Sequence, residues 1–194
     1  MNNNKSGIWL ITGGGRSGKS AYAESLAAAD GAAANTGVLY IATGVRVDEE
    51  MEERIEHHRA RRPGTWVTLE KYKDFNSIEN EFEPGAFCTI LLDCITNLLM
   101  GILFEKIPDA ENFQSAQFDE VEQLSISEID IVCAYAKKYE KRLILVTNEI
   151  GMGTIPPTRY ARYYRDALGR VNMHAAKISD KVVMMVAGLP VELK

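Results

Sequence analysis

The chain has 194 residues, 46% of them hydrophobic and 25% charged, which is enough to bury one substantial core and is read as a single domain over residues 1–194. A formal net charge of −5 argues against general binding to nucleic acid or to a membrane surface, since both call for a net basic face; any anion site must be local. No apolar run approaches the ~20 residues that span a bilayer, no signal-peptide core is expected, and Cys88, Cys94 and Cys133 form no CxxC pair, as in a protein of the reducing cytoplasm.

Residues 1–6, MNNNKS, are polar and expected to fray. Strands are then expected at 7–12, 37–42, 65–69, 88–93, 142–147 and 181–188. Helices are expected between them at 18–29, 48–62, 77–82, 96–105, 118–139 and 158–178. AAADGAAA reads as a helix end and loop, and the tail GLPVELK as a short edge strand. Most of these strands are apolar throughout, as parallel strands covered on both faces are. The alternation implies an α/β fold with a mostly parallel sheet flanked by helices.

Directly after the first strand stands GGGRSGKS: Gly13, Gly14, Gly15, Arg16, Ser17, Gly18, Lys19 and Ser20. It satisfies G-x-x-x-x-G-K-[ST] between a strand and a helix. The glycines let backbone N–H groups turn around a phosphate, Lys19 can reach the outer phosphates, and the Ser20 hydroxyl can bind Mg²⁺. Such a loop after the first strand makes the expected fold P-loop NTPase-like, mostly parallel, and leaves the reaction open.

The helical pattern 48–62 carries RIEHHRARRP. At about 100° per residue, Val47, Met51 and Ile55 define an apolar stripe; His58 falls within roughly 40° of its centre and His57 roughly 140° away. His58 therefore reads as a packed, hydrogen-bonded residue, and His57 as the one open to a ligand or simply to solvent. Arg59, Arg61 and Arg62 could be no more than a solvated helix end favoured by the dipole. Further on, TILLD ends in Asp93, where P-loop enzymes place the acid that partners Mg²⁺; an N-cap for the next helix is the competing reading. Asn148 and Glu149 follow another apolar strand, at an edge where α/β ligands bind, or serve as loop caps. Arg159, Arg162, Arg165 and Arg170 on the last helix suit a solvated or salt-bridged face.

Taken together, ITGGGRSGKSAYAE, VLYIATG, DEEMEERIEHHRARRP, TLE, ILLDCITNLL and VTNEIGMGTIPPTRYARYYRDALGRVNMHAA, in this order and spacing, closely resemble the bifunctional adenosylcobinamide kinase / adenosylcobinamide-phosphate guanylyltransferase family of cobalamin biosynthesis. The resemblance covers almost the whole chain. It implies phosphorylation of the aminopropanol hydroxyl of adenosylcobinamide with ATP or GTP. GMP would then pass from GTP to the new phosphate through a covalent guanylyl-histidine, giving adenosylcobinamide-GDP and pyrophosphate. By position the histidine is His57, with Lys19 acting on the phosphates; a neutral imidazole attacks phosphorus readily and forms a reactive phosphoramidate. Arg59, Arg61 and Arg62 could keep His57 neutral and offset the triphosphate charge.

The resemblance also implies guanine-nucleotide contacts from Thr43, Gly44 and Val45, from Ala60, Arg61, Arg62 and Pro63, and from Glu70 and Asp93. Glu70 could accept from guanine N1 and N2 or act near the metal, and as a residue type it could equally be an ordinary strand-end acid. Mg²⁺ on Ser20 and Asp93, and a homotrimer with sites near subunit boundaries, complete the expectation. The pattern departs at Asn97, which stands earlier than in relatives, and at Met173 and His174, where glutamine and arginine are frequent. Two other readings stay open on the residues: a P-loop small-molecule kinase without nucleotidyl transfer, and a GTP-regulated binding or assembly protein.

Overall fold

The computed structural model describes residues 6–44 and 63–194. Its elements are β1 (Gly7–Gly13), α1 (Lys19–Ala34), β2 (Gly37–Ala42), β3 (Val67–Glu70), the single turn α2 (Ile78–Glu81), β4 (Phe87–Asp93), α3 (Ile95–Lys106), α4 (Ser115–Lys138), β5 (Arg142–Val146), α5 (Arg159–Ile178), β6 (Lys181–Val186) and β7 (Leu189–Glu192). The strands form one sheet in the order β3-β2-β4-β5-β1-β6-β7. The first six are parallel, and β7 pairs antiparallel with β6.

The continuous apolar runs are explained by two cores. Leu39 and Ile41 of β2, Ile90 and Leu92 of β4, and Leu143 and Leu145 of β5 face a core completed by α3, α4 and α5. Their neighbours Val38 and Tyr40, Leu91, and Ile144 and Val146 face the other side, where Ala23 and Ala27 of α1 cover them. Alternate side chains thus enter different cores, and neither face of the sheet needs a polar stripe.

Several boundaries differ from expectation. Asp30-Gly31 does not end the first helix, which continues to Ala34. Gly31 is buried, and a Cβ there would lie 3.1 Å from the Thr36 carbonyl oxygen and 3.4 Å from a Val38 methyl, so the bare glycine lets α1 run tight against the start of β2. Asp30 stays in the helix because its carboxylate has tertiary donors, the Thr89 hydroxyl at 3.2 Å and the Arg142 guanidinium at 2.9 Å. The helix stops at Asn35, left-handed at φ 51°, whose N–H returns to Ala32 and Gly31. The expected strand 181–188 ends at Val186, because Ala187 (φ 51°) and Gly188 (φ 84°) form a two-residue hairpin turn into the edge strand β7. The expected helix 77–82 is cut to a 3₁₀ turn over Phe75–Ser77 followed by α2. The expected helix 48–62 and residues 1–5 lie outside the described residues. Among the described residues, no helix is long and apolar enough to cross a membrane.

The α4–α5 pair is held by rings. Phe118, fully buried, sits 5.2 Å from Phe113, 5.4 Å from Tyr160 and 5.2 Å from Tyr163, centroid to centroid. Replacing Phe118 with Ala is expected to cost about 3–5 kcal/mol through lost burial and an unfilled cavity. A urea titration checks this; a change below about 1 kcal/mol would mean that the rings are not what joins the two helices.

Candidate functional site

Parallel register places several chain reversals at one edge. Ala42 pairs with both Glu70 and Asp93, Asp93 with Val146, and Val146 with Ile11. Glu70, Thr43, Asp93, Thr147 and the loop after β1 therefore all emerge at the carboxyl edge of the sheet, where α/β folds bind ligands.

The Gly-rich turn between β1 and α1 requires its first glycine. Gly13 has φ 152°, and a Cβ on it would lie 2.6 Å from Ser17 Oγ and 2.7 Å from the Met185 carbonyl oxygen. Arg16 (φ 58°) and Gly18 (φ 91°) also adopt positive φ, a geometry that turns successive N–H groups into an anion-binding concavity. The turn is buttressed from the β6–β7 hairpin, where Gly188 N–H donates to the Ser17 carbonyl at 3.1 Å. The Ser17 hydroxyl is buried without a hydrogen-bond partner in the structure, an oxygen that a phosphate or water can satisfy. Helix α1 begins at Lys19 with no acid in its own first turn, so the helix itself supplies no charge against its positive dipole end. Lys19 Nζ donates to the Gly14 carbonyl at 3.1 Å. Burial lowers its pKa, and the Cys94 side chain and the Asp93 carboxylate offset part of the fall. An anion with several negative oxygens would relieve that desolvated cation.

Asp93 faces the α1 side, since it is two residues beyond Leu91 on β4. Its Oδ1 accepts from the Ser20 hydroxyl at 3.4 Å and its Oδ2 from the Tyr40 phenol at 2.8 Å. The carboxylate does not cap α3, whose N-cap position is held by Cys94 without a side-chain capping bond. Thr43, buried, pins the backbone just beyond: its Oγ1 accepts from Cys94 N–H at 2.7 Å and donates to the Cys94 carbonyl at 2.6 Å. The Cys94 thiol is no nucleophile, because burial, reinforced by the Asp93 charge, pushes its pKa up to about 12. Among the described residues no three His, Cys, Asp or Glu side chains gather into a metal cluster. The hard oxygen pair of Ser20 and Asp93 instead matches what Mg²⁺ uses in phosphate sites, one carboxylate with hydroxyl, water and substrate oxygens.

The loop after β5 is stapled to this site. Glu149 N–H donates to the Gly13 carbonyl at 3.0 Å, and Asn148 N–H to Thr96 Oγ1 at 2.9 Å. Asn172 of α5 accepts from the Thr147 hydroxyl at 2.7 Å and donates to the Asn148 carbonyl at 3.0 Å. Tyr40, Thr96, Thr147 and Asn172 lie within the segments that carry the family resemblance, but no local pattern singles them out as site residues. Each is a polar residue inside or beside an apolar segment, a weak signal until the partner is known. The arginines of α5 mostly have partners within the chain: Arg159 stacks over Phe113, Arg162 donates to the Pro156 and Pro157 carbonyls, Arg165 pairs with Asp166 and Arg170 with Glu122. His174 pairs with Asp130.

Of the residues expected at the site, Gly13 to Ser20, Thr43, Gly44, Glu70 and Asp93 meet at the carboxyl edge. Glu70 is exposed at the end of β3, and Pro63 is exposed and accepts from Trp66 N–H at 3.0 Å. Val45, His57, Ala60, Arg61 and Arg62, with His58 and Arg59, lie outside the described residues.

Comparison with known proteins adds an independent finding. The family model of cobinamide kinase / cobinamide phosphate guanyltransferase matches residues 9–193. The bifunctional adenosylcobalamin biosynthesis protein CobU of Escherichia coli is 38% identical over 190 residues, 95% of this chain and 98% of that one. Its Salmonella typhimurium counterpart is 39% identical over 190 residues, again 95% and 98%. The bifunctional adenosylcobalamin biosynthesis protein CobP of Pseudomonas aeruginosa is 38% identical over 186 residues, 95% and 96%.

Because the contacts around Gly13 include a backbone carbonyl that cannot step aside, Gly13→Ala is expected to weaken GTP binding roughly tenfold or more while the far-UV spectrum of the sheet survives. Fluorescence titration with a GTP analogue measures it, and wild-type affinity would show that the loop relaxes freely.

Proposed function

The chain belongs to the cobinamide kinase / cobinamide phosphate guanyltransferase family, and from that premise we propose that it phosphorylates adenosylcobinamide with ATP or GTP and then transfers GMP from GTP to the phosphate. The observation that carries the proposal is the convergence of the glycine-rich loop, Lys19 and the Ser20–Asp93 pair at one sheet edge, in a chain similar to bifunctional enzymes over nearly its full length.

In the kinase step the aminopropanol oxygen attacks the terminal phosphorus, the bond from that phosphorus to the bridging oxygen breaks, and the nucleoside diphosphate leaves as the hydroxyl proton is lost. The loop N–H groups and the α1 terminus hold the phosphates, and Lys19 meets the charge that builds on the oxygens being transferred. Mg²⁺ held by Ser20 and Asp93 would supply positive charge to the phosphate oxygens. In the second reaction a ring nitrogen of His57 attacks the α-phosphorus of GTP and pyrophosphate departs. An oxygen of adenosylcobinamide phosphate then attacks the same phosphorus, the P–N bond breaks, and His57 is regenerated. Arg61 and Arg62, with Arg59, offset the triphosphate charge, while Thr43, Gly44, Val45, Ala60, Pro63 and Glu70 surround the guanine nucleotide. The family resemblance further supports a homotrimer of single-domain chains in the cytoplasm, with no nucleic-acid partner.

Because the sequence offers a single phosphate-loop motif for the two reactions, Lys19→Ala is expected to slow each by on the order of 10²-fold or more. Rates of phosphorylation and of guanylyl transfer check this separately, and full retention of either would require a second nucleotide site.

Mixing the protein with GTP and Mg²⁺ should yield an acid-labile GMP adduct, which neither a simple kinase nor a GTP-regulated binding protein would give. His57→Asn is expected to abolish the adduct and guanylyl transfer yet leave most kinase activity; His58→Asn should mainly lower stability, by roughly 1–3 kcal/mol if a buried hydrogen bond is lost. Peptide mapping of the trapped adduct decides between them, and GMP on His58 would overturn the assignment.

A further inference from the structure

We infer that Tyr40 is a positioning residue for the Asp93 carboxylate, and through it for the divalent cation of the nucleotide site; this rests on Ser20 and Asp93 being the metal ligands proposed above. Tyr40 lies in β2 and is only 1% exposed, packed in the core between the sheet and α1. Its register partner on β4 is Leu91, and Ala42 is the partner of Asp93, so Tyr40 reaches its acid on the diagonal. That distance is within reach of an aromatic or other long side chain. The ring is kept in place by stacking on Trp66, with centroids 6.0 Å apart and planes 28° apart.

The geometry gives the phenol a specific task. The terminal torsion of an aspartate is broad, so a strand-end carboxylate left alone samples many orientations. Here Oδ2 is taken by the Tyr40 hydroxyl at 2.8 Å, which sets the plane of the group and leaves Oδ1 beside the Ser20 hydroxyl at 3.4 Å. Thr43, just beyond the end of β2, fixes the backbone of the residue after Asp93, Cys94, through both its N–H and its carbonyl. Two hydroxyls, one from β2 and one from the residue just beyond its end, thus hold the carboxylate and the backbone next to it in one arrangement. Outer partners of this kind set the orientation of metal ligands, and losing one typically weakens metal binding 10- to 100-fold.

A buried phenol would also seek an acceptor for purely structural reasons, so the test must read the metal. The variant is Tyr40→Phe, which keeps the ring and removes only the hydroxyl. Affinity for a fluorescent GTP analogue is measured in Mg²⁺ and again in EDTA, with Asp93→Asn in parallel. For Tyr40→Phe the EDTA affinity should stay within about twofold of wild type, while the tightening produced by Mg²⁺ shrinks roughly tenfold or more. The Mg²⁺ concentration for half-maximal kinase rate should rise by a similar factor. Any loss of folding lowers both affinities by the same factor and cancels in their ratio. Full Mg²⁺-dependent tightening in Tyr40→Phe, with its loss in Asp93→Asn, would overturn the positioning role and leave the phenol structural. Unchanged tightening in both variants would remove the metal assignment itself, and this inference with it.

Discussion

Parallel pairing of six strands is the constraint on which the rest of the structure depends. Because every one of those strands runs the same way, every strand releases the chain at the same, carboxyl, edge. Register then brings Ala42, Glu70, Asp93, Val146 and Ile11 level with one another. Residues far apart in sequence meet there without any long loop reaching out to find its partner. The cost of such a sheet is that both faces must be covered, which α1 does on one side and α3, α4 and α5 on the other.

An acidic chain with a local anion site needs that site's positive charge to come from geometry rather than from composition. Much of it comes from the backbone: the positive-φ turn at Arg16 and Gly18, and the start of α1 with no acid in its first turn. Lys19 adds a cation whose pKa burial has lowered, held by a carbonyl of the loop itself. The walls are equally economical. The β6–β7 hairpin supports the loop through Gly188, and the segment after β5 through Glu149, in each case by a main-chain bond that is indifferent to side-chain identity.

Helix α1 shows how packing and site are coupled. Its buried residues are Ala23, Ala27 and Gly31, all small, so the helix lies close to the sheet and its amino end reaches Asp93 at the end of β4. Closeness is what allows Ser20, in the first turn, to come within 3.4 Å of Asp93. Bulkier side chains along the same face would lift the helix and open that gap.

Much was legible in the sequence because it is locally determined. The pattern from Gly13 to Ser20 specifies its own turn, since the φ that Gly13 needs and the helix that starts at Lys19 are properties of adjacent residues. Apolar runs without alternation announced strands buried on both faces, and the family likeness was carried by contiguous segments in order. Boundaries went astray where a distant partner intervened: Asp30 and Gly31 look like a helix stop, and Arg142, Thr89 and β2 make them part of the helix. The role of Asp93 could not be read locally at all. A carboxylate that ends a strand and precedes a helix can cap or can bind, and its own neighbours do not distinguish the two. In the fold its two oxygens accept from the hydroxyls of Ser20 and Tyr40, 73 and 53 residues away in the chain, while Cys94 holds the N-cap position of α3. Sequence by itself determined what the backbone does over a few residues; only the tertiary structure decided which side chains share a carboxylate, because that depends on strand register and helix height across the sheet.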